Sequence, residues 1–403
     1  TFAALRSTRR RLMDPATFEE ALRELNLDTA DDSDDGEPAP DAPEAAGTAF
    51  EQLLGGAPAN PAATTARATT RTVESIVSSL VAPFVEPGTD PRQDEYAAMV
   101  DSAISELMRT LLHDPAFQRL EARWRSVHEL ITSVETGEEL KVYLLDVTRE
   151  ELQDDLCAPG VTPDQTGLYR QLVEKNRQTA GGDPWTVLVA DWNFGASGDD
   201  IGLLAALGAL GAQAGGPVLA GANTSLFGCT DVWSNPDVRA WSEPDAEEQA
   251  VWNALRQSPM ATWIGLSAPR LLSRVPYGAK RDEIDAFSFE ETPDDADGSQ
   301  YLWSNPAFAL AALLGQDFTE RGWQLVPGQS LDVQDLPACS VKRDGEAMLV
   351  PCGEAFLSEP AAAAISAQGV MPVLSHASAN RVRFAGVHSI ASPQAPLSGA
   401  WNS

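Results

Sequence analysis

The chain has 403 residues, 59 of them acidic and 28 Lys or Arg, for a formal net charge of −31 at neutral pH. That length suffices for two or three domains with a large core, and its 43 % apolar content is that of an ordinary soluble protein. The charge argues against nucleic-acid binding, which needs clustered Lys and Arg, and against anionic membrane surfaces. No apolar run is long enough to span a bilayer.

The amino-terminal run TFAALRSTRRRL lacks the basic–apolar–small order of a signal peptide, so a cytoplasmic protein or an internal fragment is expected. Residues 1–27 form a short helical segment in this reading. Asp14 precedes Pro15 as a cap, and Phe18, Leu22 and Leu25 recur on one face. Residues 28–66 carry nine acidic side chains, no Lys or Arg, and much Ala and Pro. That composition predicts a disordered or extended linker, interrupted by one brief helical turn at TAFEQLLGG.

Residues 67–136 are expected to be helical. TRTVESIVSSLVAPFV is amphipathic and stops at Pro87 and Gly88, and DEYAAMVDSAISELMRTLLH is a second such helix. The third, HDPAFQRLEARWRSVHELI, starts with Asp114 as cap and Pro115 in the first turn. Phe117, Leu120, Trp124, Val127 and Ile131 then recur at steps of three or four, which places Trp124 in the core. Arg119, Glu121, Arg123, Arg125 and Glu129 lie off that stripe as a solvated or subunit-facing rim.

Residues 137–403 change period. LKVYLLDVT, WTVLVADWNF and PVLAGAN are apolar runs of strand length, and SGDDIGLLAALGALGAQAG between the last two is a helix capped by Ser197 or Asp199. Strand–helix–strand with continuously apolar strands predicts an α/β domain. Its sheet should be mixed, largely parallel and flanked by helices, and preceded by the amphipathic amino-terminal helices. NPAFALAALLGQDFTERGW is a further helix with an Asn-Pro start, EETPDDADGSQ an acidic loop, and Asp344-Gly345 a hairpin turn.

Chemistry is sparse in this pattern. Cys157, Cys229, Cys339 and Cys352 are widely spaced and, with four histidines, give no zinc-ligand spacing; reduced thiols are expected. Glycines at the strand–helix junction WNFGASGDD are followed by Asp199 and Asp200, which would repel a nucleotide phosphate. No G-x-x-x-x-G-K-[ST] and no G-x-S-x-G occurs. Asp146 and Asp191 end apolar strands, where α/β enzymes place catalytic groups, but such residues more often satisfy loop amides. His376 with Ser375 and His388 with Ser389 offer serine–histidine pairs that still require an acid and an oxyanion hole. His128 lies on a helix flank.

Several segments together resemble one family, the large subunit of the type VI secretion contractile sheath (TssC or VipB type). They include His113, Pro115, Phe117, Leu120, Glu121, Trp124, Arg125, Leu130 and Ile131, followed by LKVYLLDVTREELQDDL, DPWTVLVADWNFGAS and PVLAGANTSLFG. The most specific stretch is APRLLSRVPYGAKRDEIDAFSFEE, with Pro269, Arg270, Leu272, Arg274, Pro276, Tyr277, Gly278 and Phe287 to Glu291. YLWSNPAFALAALLGQDFTERGW continues it, through Trp303, Asn305, Ala307, Gly322 and Trp323. The resemblance runs from about Thr70 to about His388.

It implies a tail-sheath-like fold and a mechanical protein without catalytic, cofactor or metal residues, assembled around an inner tube and driving its ejection by contraction. The implied partners are a small sheath subunit (TssB or VipA type), the inner-tube protein, baseplate components and the sheath-recycling ATPase, with neither nucleic acid nor membrane insertion. Phe117, Leu120, Trp124, Arg125 and Val127 are then the expected subunit contacts. Family members continue beyond a region like RVRFAGVHSI into a segment that interlocks neighbours, whereas this chain ends at LSGAWNS. Residues 1–27 are similar to the tail of the small subunit, which implies a small–large fusion. The alternatives are a non-contracting accessory or cap subunit, and an α/β enzyme acting through Asp146, Asp191 or His376.

Overall fold

The computed structural model describes residues 2–25, 90, 92–176, 182, 184–279, 281–285, 287–293, 297–343 and 346–402. The acidic stretch 28–66, the TRTVESIVSSLVAPFV run and the Asp344-Gly345 turn lie outside the described residues. The chain divides into two compact units, residues 1–112 with 283–291, and residues 113–282 with 292–403.

The first unit is helical, with α1 Phe2–Met13, α2 Phe18–Glu24 and α3 Arg92–Leu112. The helix expected to begin at Pro15 begins at Phe18. Asp14 Oδ1 accepts from the Ala16 amide at 3.0 Å, the Thr17 amide donates to Asp14 O at 3.0 Å, and the Thr17 hydroxyl donates to Arg11 O at 2.8 Å. Residues 14–17 are thereby closed into a corner between two helices. Leu5, Leu12, Phe18, Ala21 and Leu22 pack with Val100 and Ile104 of α3, and Phe287 joins them. Arg109 Nε donates to Glu290 O at 2.8 Å, with its guanidinium 5.7 Å from the Phe289 ring centre, so the returning segment is stitched to α3.

The second unit carries α4 Pro115–Ser133 and α5 Arg149–Leu156, then β1 Leu188–Phe194, α6 Gly198–Ala214, β2 Val218–Ala222, α7 Ala246–Arg256 and β3 Ile264–Ala268. Short strands β4 Leu271–Leu272 and β5 Trp303–Ser304 pair with each other ahead of α8 Pro306–Arg321. There follow β6 Asp332–Val333, the hairpin β7 Ser340–Arg343 and β8 Glu346–Leu349, α9 Glu359–Ala367, β9 Val370–Ser375 and β10 Val382–Phe384.

The main sheet has the order β1-β2-β3-β9-β10-β6. β1, β2, β3 and β9 run parallel, while β10 is antiparallel to both of its neighbours. This is the mixed, largely parallel sheet that the sequence predicts. Period-two alternation splits its apolar residues between two cores. Val218, Ala220, Ile264 and Leu266 face one core with Leu203, Leu204, Leu207 and Leu210 of α6. Leu219, Met371 and Val373 face the other with Leu310, Leu313 and Leu314 of α8. Helices on both faces explain why the strands are apolar throughout rather than alternating with polar residues.

One apolar run departs from expectation. LKVYLLDVT belongs to no sheet among the described residues, and Tyr143 (64 %), Leu144 (61 %) and Leu145 (53 %) are exposed. A strand needs a neighbouring strand as well as β-prone side chains, and no strand among the described residues lies beside this run.

α6 approaches the sheet through Gly208, where a Cβ would lie 2.6 Å from Ile264 Cδ1 and 2.8 Å from its Cγ1. Gly208→Val is expected to destabilise the fold by about 1–3 kcal/mol through overpacking, read as a lower urea midpoint at unchanged slope. An unchanged midpoint would show that the helix can back away.

Candidate subunit interface

α4 is capped by Asp114, whose Oδ1 accepts from the Ala116 and Phe117 amides, both at 2.9 Å, and Pro115 takes the first turn. The buried side of the helix is small: Ala122, Ser126 and Val127. The Ser126 hydroxyl donates back to Ala122 O at 2.8 Å, so burying it leaves no unpaired donor. Beyond the helix, Val134 sits where a Cβ on Gly315 of α8 would lie 2.8 Å from Val134 Cγ1, and Gln316 Nε2 donates to Ser133 O at 3.0 Å.

This orientation overturns the expectation that Trp124 is core. Trp124 is 59 % exposed and forms an outward row with Leu120 (51 %) and Ile131 (41 %). Of the expected contact residues, Leu120 and Trp124 face outward, Phe117 and Arg125 are half-buried, and Val127 is buried. A helix carrying both a large apolar row and a face with small residues can bury either. The close approach to α8 selects the small face.

Beside the row lies an ionic cluster. Glu121 accepts from Arg274 Nε at 2.7 Å and from Arg125 Nε at 2.8 Å. Arg274 is 6 % exposed and stacks 4.6 Å from the Tyr277 ring centre. Burial alone pushes the Glu121 carboxyl up, but the two guanidinium groups outweigh it and hold it below its ordinary value. This cluster joins two sequence segments more than 150 residues apart, a pairing that neither local pattern announces.

Neighbouring motif residues are also structural. Arg270 Nε donates to both Glu354 oxygens at 3.1 Å, and its backbone amide donates to Oε2 at 3.1 Å. Asn305 caps α8 by accepting from the Ala307 amide at 2.9 Å, while its Nδ2 donates to Ala190 O and Trp192 O at 3.3 Å, pinning the helix start to β1. Asp200 accepts from the Gly195 amide at 2.6 Å and from Arg149, so the acidic helix start closes its own loop.

The residues of the enzyme alternative are scattered or engaged. Asp191 accepts from Arg123 Nε at 2.7 Å. Burial raises its carboxyl above the ordinary value, with Arg123 acting in the opposite sense. Asp146 is exposed. The Ser375 hydroxyl bonds to the Gly353 amide and carbonyl, the Ser389 hydroxyl donates to Ala395 O at 2.8 Å, and His388 Nδ1 lies 2.9 Å from Ser389 O. Among the described residues, no three His, Cys, Asp or Glu side chains are grouped to hold a metal, and no helix is long and apolar enough to cross a membrane.

The VipB family model, described as EvpB/VC_A0108, tail sheath N-terminal domain, matches residues 94–391. The type VI secretion system sheath protein TssC1 of Pseudomonas aeruginosa is 33 % identical over 306 residues, covering 73 % of this chain. The match spans 61 % of that relative's length.

The ionic cluster yields a test. Glu121→Gln takes a carboxylate away from the buried Arg274 cation, so unfolding free energy at neutral pH is expected to fall by about 1.5–3 kcal/mol, the range for a hydrogen bond to a charged group. Because the folded-state pKa of Glu121 lies below its unfolded value, the stabilisation is complete above the unfolded pKa. It is lost as pH falls through the folded one. Urea titrations should therefore show the gap between wild type and variant closing in acid; a gap that persists unchanged there would remove the carboxylate from the account.

Proposed function

The chain belongs to the VipB tail-sheath family of type VI secretion sheath proteins, and from that premise we propose that it is a large-subunit sheath protomer. It assembles with a small sheath subunit around an inner tube and drives that tube outward by contraction. Baseplate components and the recycling ATPase are its further partners, and the work is done in the cytoplasm. The family is structural rather than enzymatic, in keeping with carboxylates and hydroxyls committed to capping and ion pairs.

The observation that carries the reading at residue level is the outward row Leu120, Trp124 and Ile131 on a helix whose other side is locked to the body. Large aromatic side chains held rigidly at the surface are the usual anchors of protein interfaces. Head-to-tail contacts of one such face with a different surface generate open helical tubes. Contraction then requires no bond chemistry, only two packings of the same interfaces that differ in free energy. Of the expected contacts, Leu120 and Trp124 meet the partner, Phe117 and Arg125 brace the rim, and Val127 acts from beneath by holding the helix in place.

Co-expression with the matching small subunit, followed by negative-stain electron microscopy, is expected to give hollow tubes; soluble complexes without tubes would reject the protomer assignment. Trp124→Asp should abolish tube formation while leaving the unfolding free energy within about 0.5 kcal/mol of wild type, as for a surface substitution. Tubes that form normally with Trp124→Asp would move the interface elsewhere.

A further inference from the structure

We infer that the exposed arginine face of α1 is a docking surface for the chain's own aspartate run, residues 28–35. The inference concerns the first unit alone and stands whether or not the protein builds tubes.

α1 carries Arg6, Arg9, Arg10 and Arg11 and no acidic residue. Two of the four are neutralised within the unit. Arg9 pairs with Asp101 of α3, its second nitrogen 3.1 Å from Oδ2, and Arg11 Nη1 donates to Glu24 Oε2 of α2 at 2.5 Å. Arg6 and Arg10 are exposed and take no ionic partner among the described residues. They are four apart and so lie on one face, which Met13, 46 % exposed, continues by a further turn. Like charges at this spacing destabilise a helix, so an anion seated on both would relieve their repulsion.

The sequence places such an anion beside them. Residues 28–35, DTADDSDD, hold five aspartates and no cation. The contact between Arg11 and Glu24 sets their distance from the face. It brings the end of α2 against the later turns of α1, and Asp28 follows Glu24 by four residues. Four extended residues reach about 13–14 Å. The helix rises only about 7.5 Å between Arg6 and Arg11. Asp28, Asp31 and Asp32 are therefore within reach of Arg10 and Arg6.

Tethering also selects the occupant. A segment attached this closely acts at an effective concentration of about a millimolar. The same run in a second copy, or an acidic partner, must come from free solution against the repulsion of a chain bearing −31. Nucleic acids and anionic membranes meet that repulsion too, without the tether. Docking keeps Arg6 and Arg10 from capturing the acidic surfaces of other molecules, which must displace the run first.

The test starts from the full-length Arg6→Lys/Arg10→Lys variant, which keeps the charge and supplies amines for zero-length carbodiimide coupling to carboxylates. An equal mixture of isotope-labelled and unlabelled protein is coupled, digested and read by mass spectrometry. The introduced amines are expected to link to residues 28–35 in peptides of like isotope, and molar salt should cut the yield severalfold. No link to residues 28–35, or links that join unlike isotopes as often as like, would overturn the proposal. A second measurement leaves α1 unaltered. Phenylglyoxal labelling of Arg6 and Arg10 should rise severalfold when Asp28→Asn, Asp31→Asn and Asp32→Asn are combined; unchanged labelling would equally overturn it.

Discussion

The half-buried carboxylate of Glu121 governs what this protein presents to its surroundings. Two guanidinium groups converge on it, and one of them, Arg274, is almost wholly removed from water. Buried ion pairs contribute little net stability, because desolvation offsets the attraction. They do make one geometry far better than its neighbours, since a rotation of α4 pulls Glu121 away from the Arg274 guanidinium. The row Leu120, Trp124 and Ile131 is therefore held in place by polar chemistry beside it as well as by packing beneath it.

A second constraint comes from small residues. Ala122 and Ser126 keep the buried side of α4 small, and Gly315 of α8 accommodates Val134 just beyond the helix end. α8 is in turn tied to β1 by the Asn305 amide group, and β1 to α4 by Asp191 and Arg123. α4 is thus coupled through α8 and β1 to the parallel sheet. In the sheath protomer proposed above, a load applied at Trp124 is shared by elements far along the chain.

Much of this was legible in the sequence, and the gaps have physical causes. Apolar runs gave β1 and β2, and Ser197, Asp114 and Asn305 marked the starts of α6, α4 and α8, because caps and periodicity are local properties. The resemblance named the family that the comparison bears out. Failures occurred where the answer depended on a distant partner. LKVYLLDVT has the composition of a strand but joins no sheet among the described residues, and composition cannot report a neighbour. The size of Trp124 and its spacing are those of a core stripe, yet the side chain faces outward. The overlooked signal was Ala122 and Ser126, a pair of small residues four apart that marks the packed side. The bond between Glu121 and Arg274 was invisible, as was the return of Phe287 and Phe289 to α3, since both join segments separated by well over a hundred residues.

The exposed run Tyr143, Leu144 and Leu145 carries a consequence for the chain before it takes up the sheath role proposed above. A stretch of β-prone apolar residues outside any sheet among the described residues is a template for whichever strand arrives first. Newly made copies emerge close together, so the first arrival is another copy unless the intended neighbour is already present. The stoichiometry and order of synthesis of the partners then matter as much as affinity. An excess of this chain over its partners would be lost to self-association, and its useful yield would be set by the scarcer component.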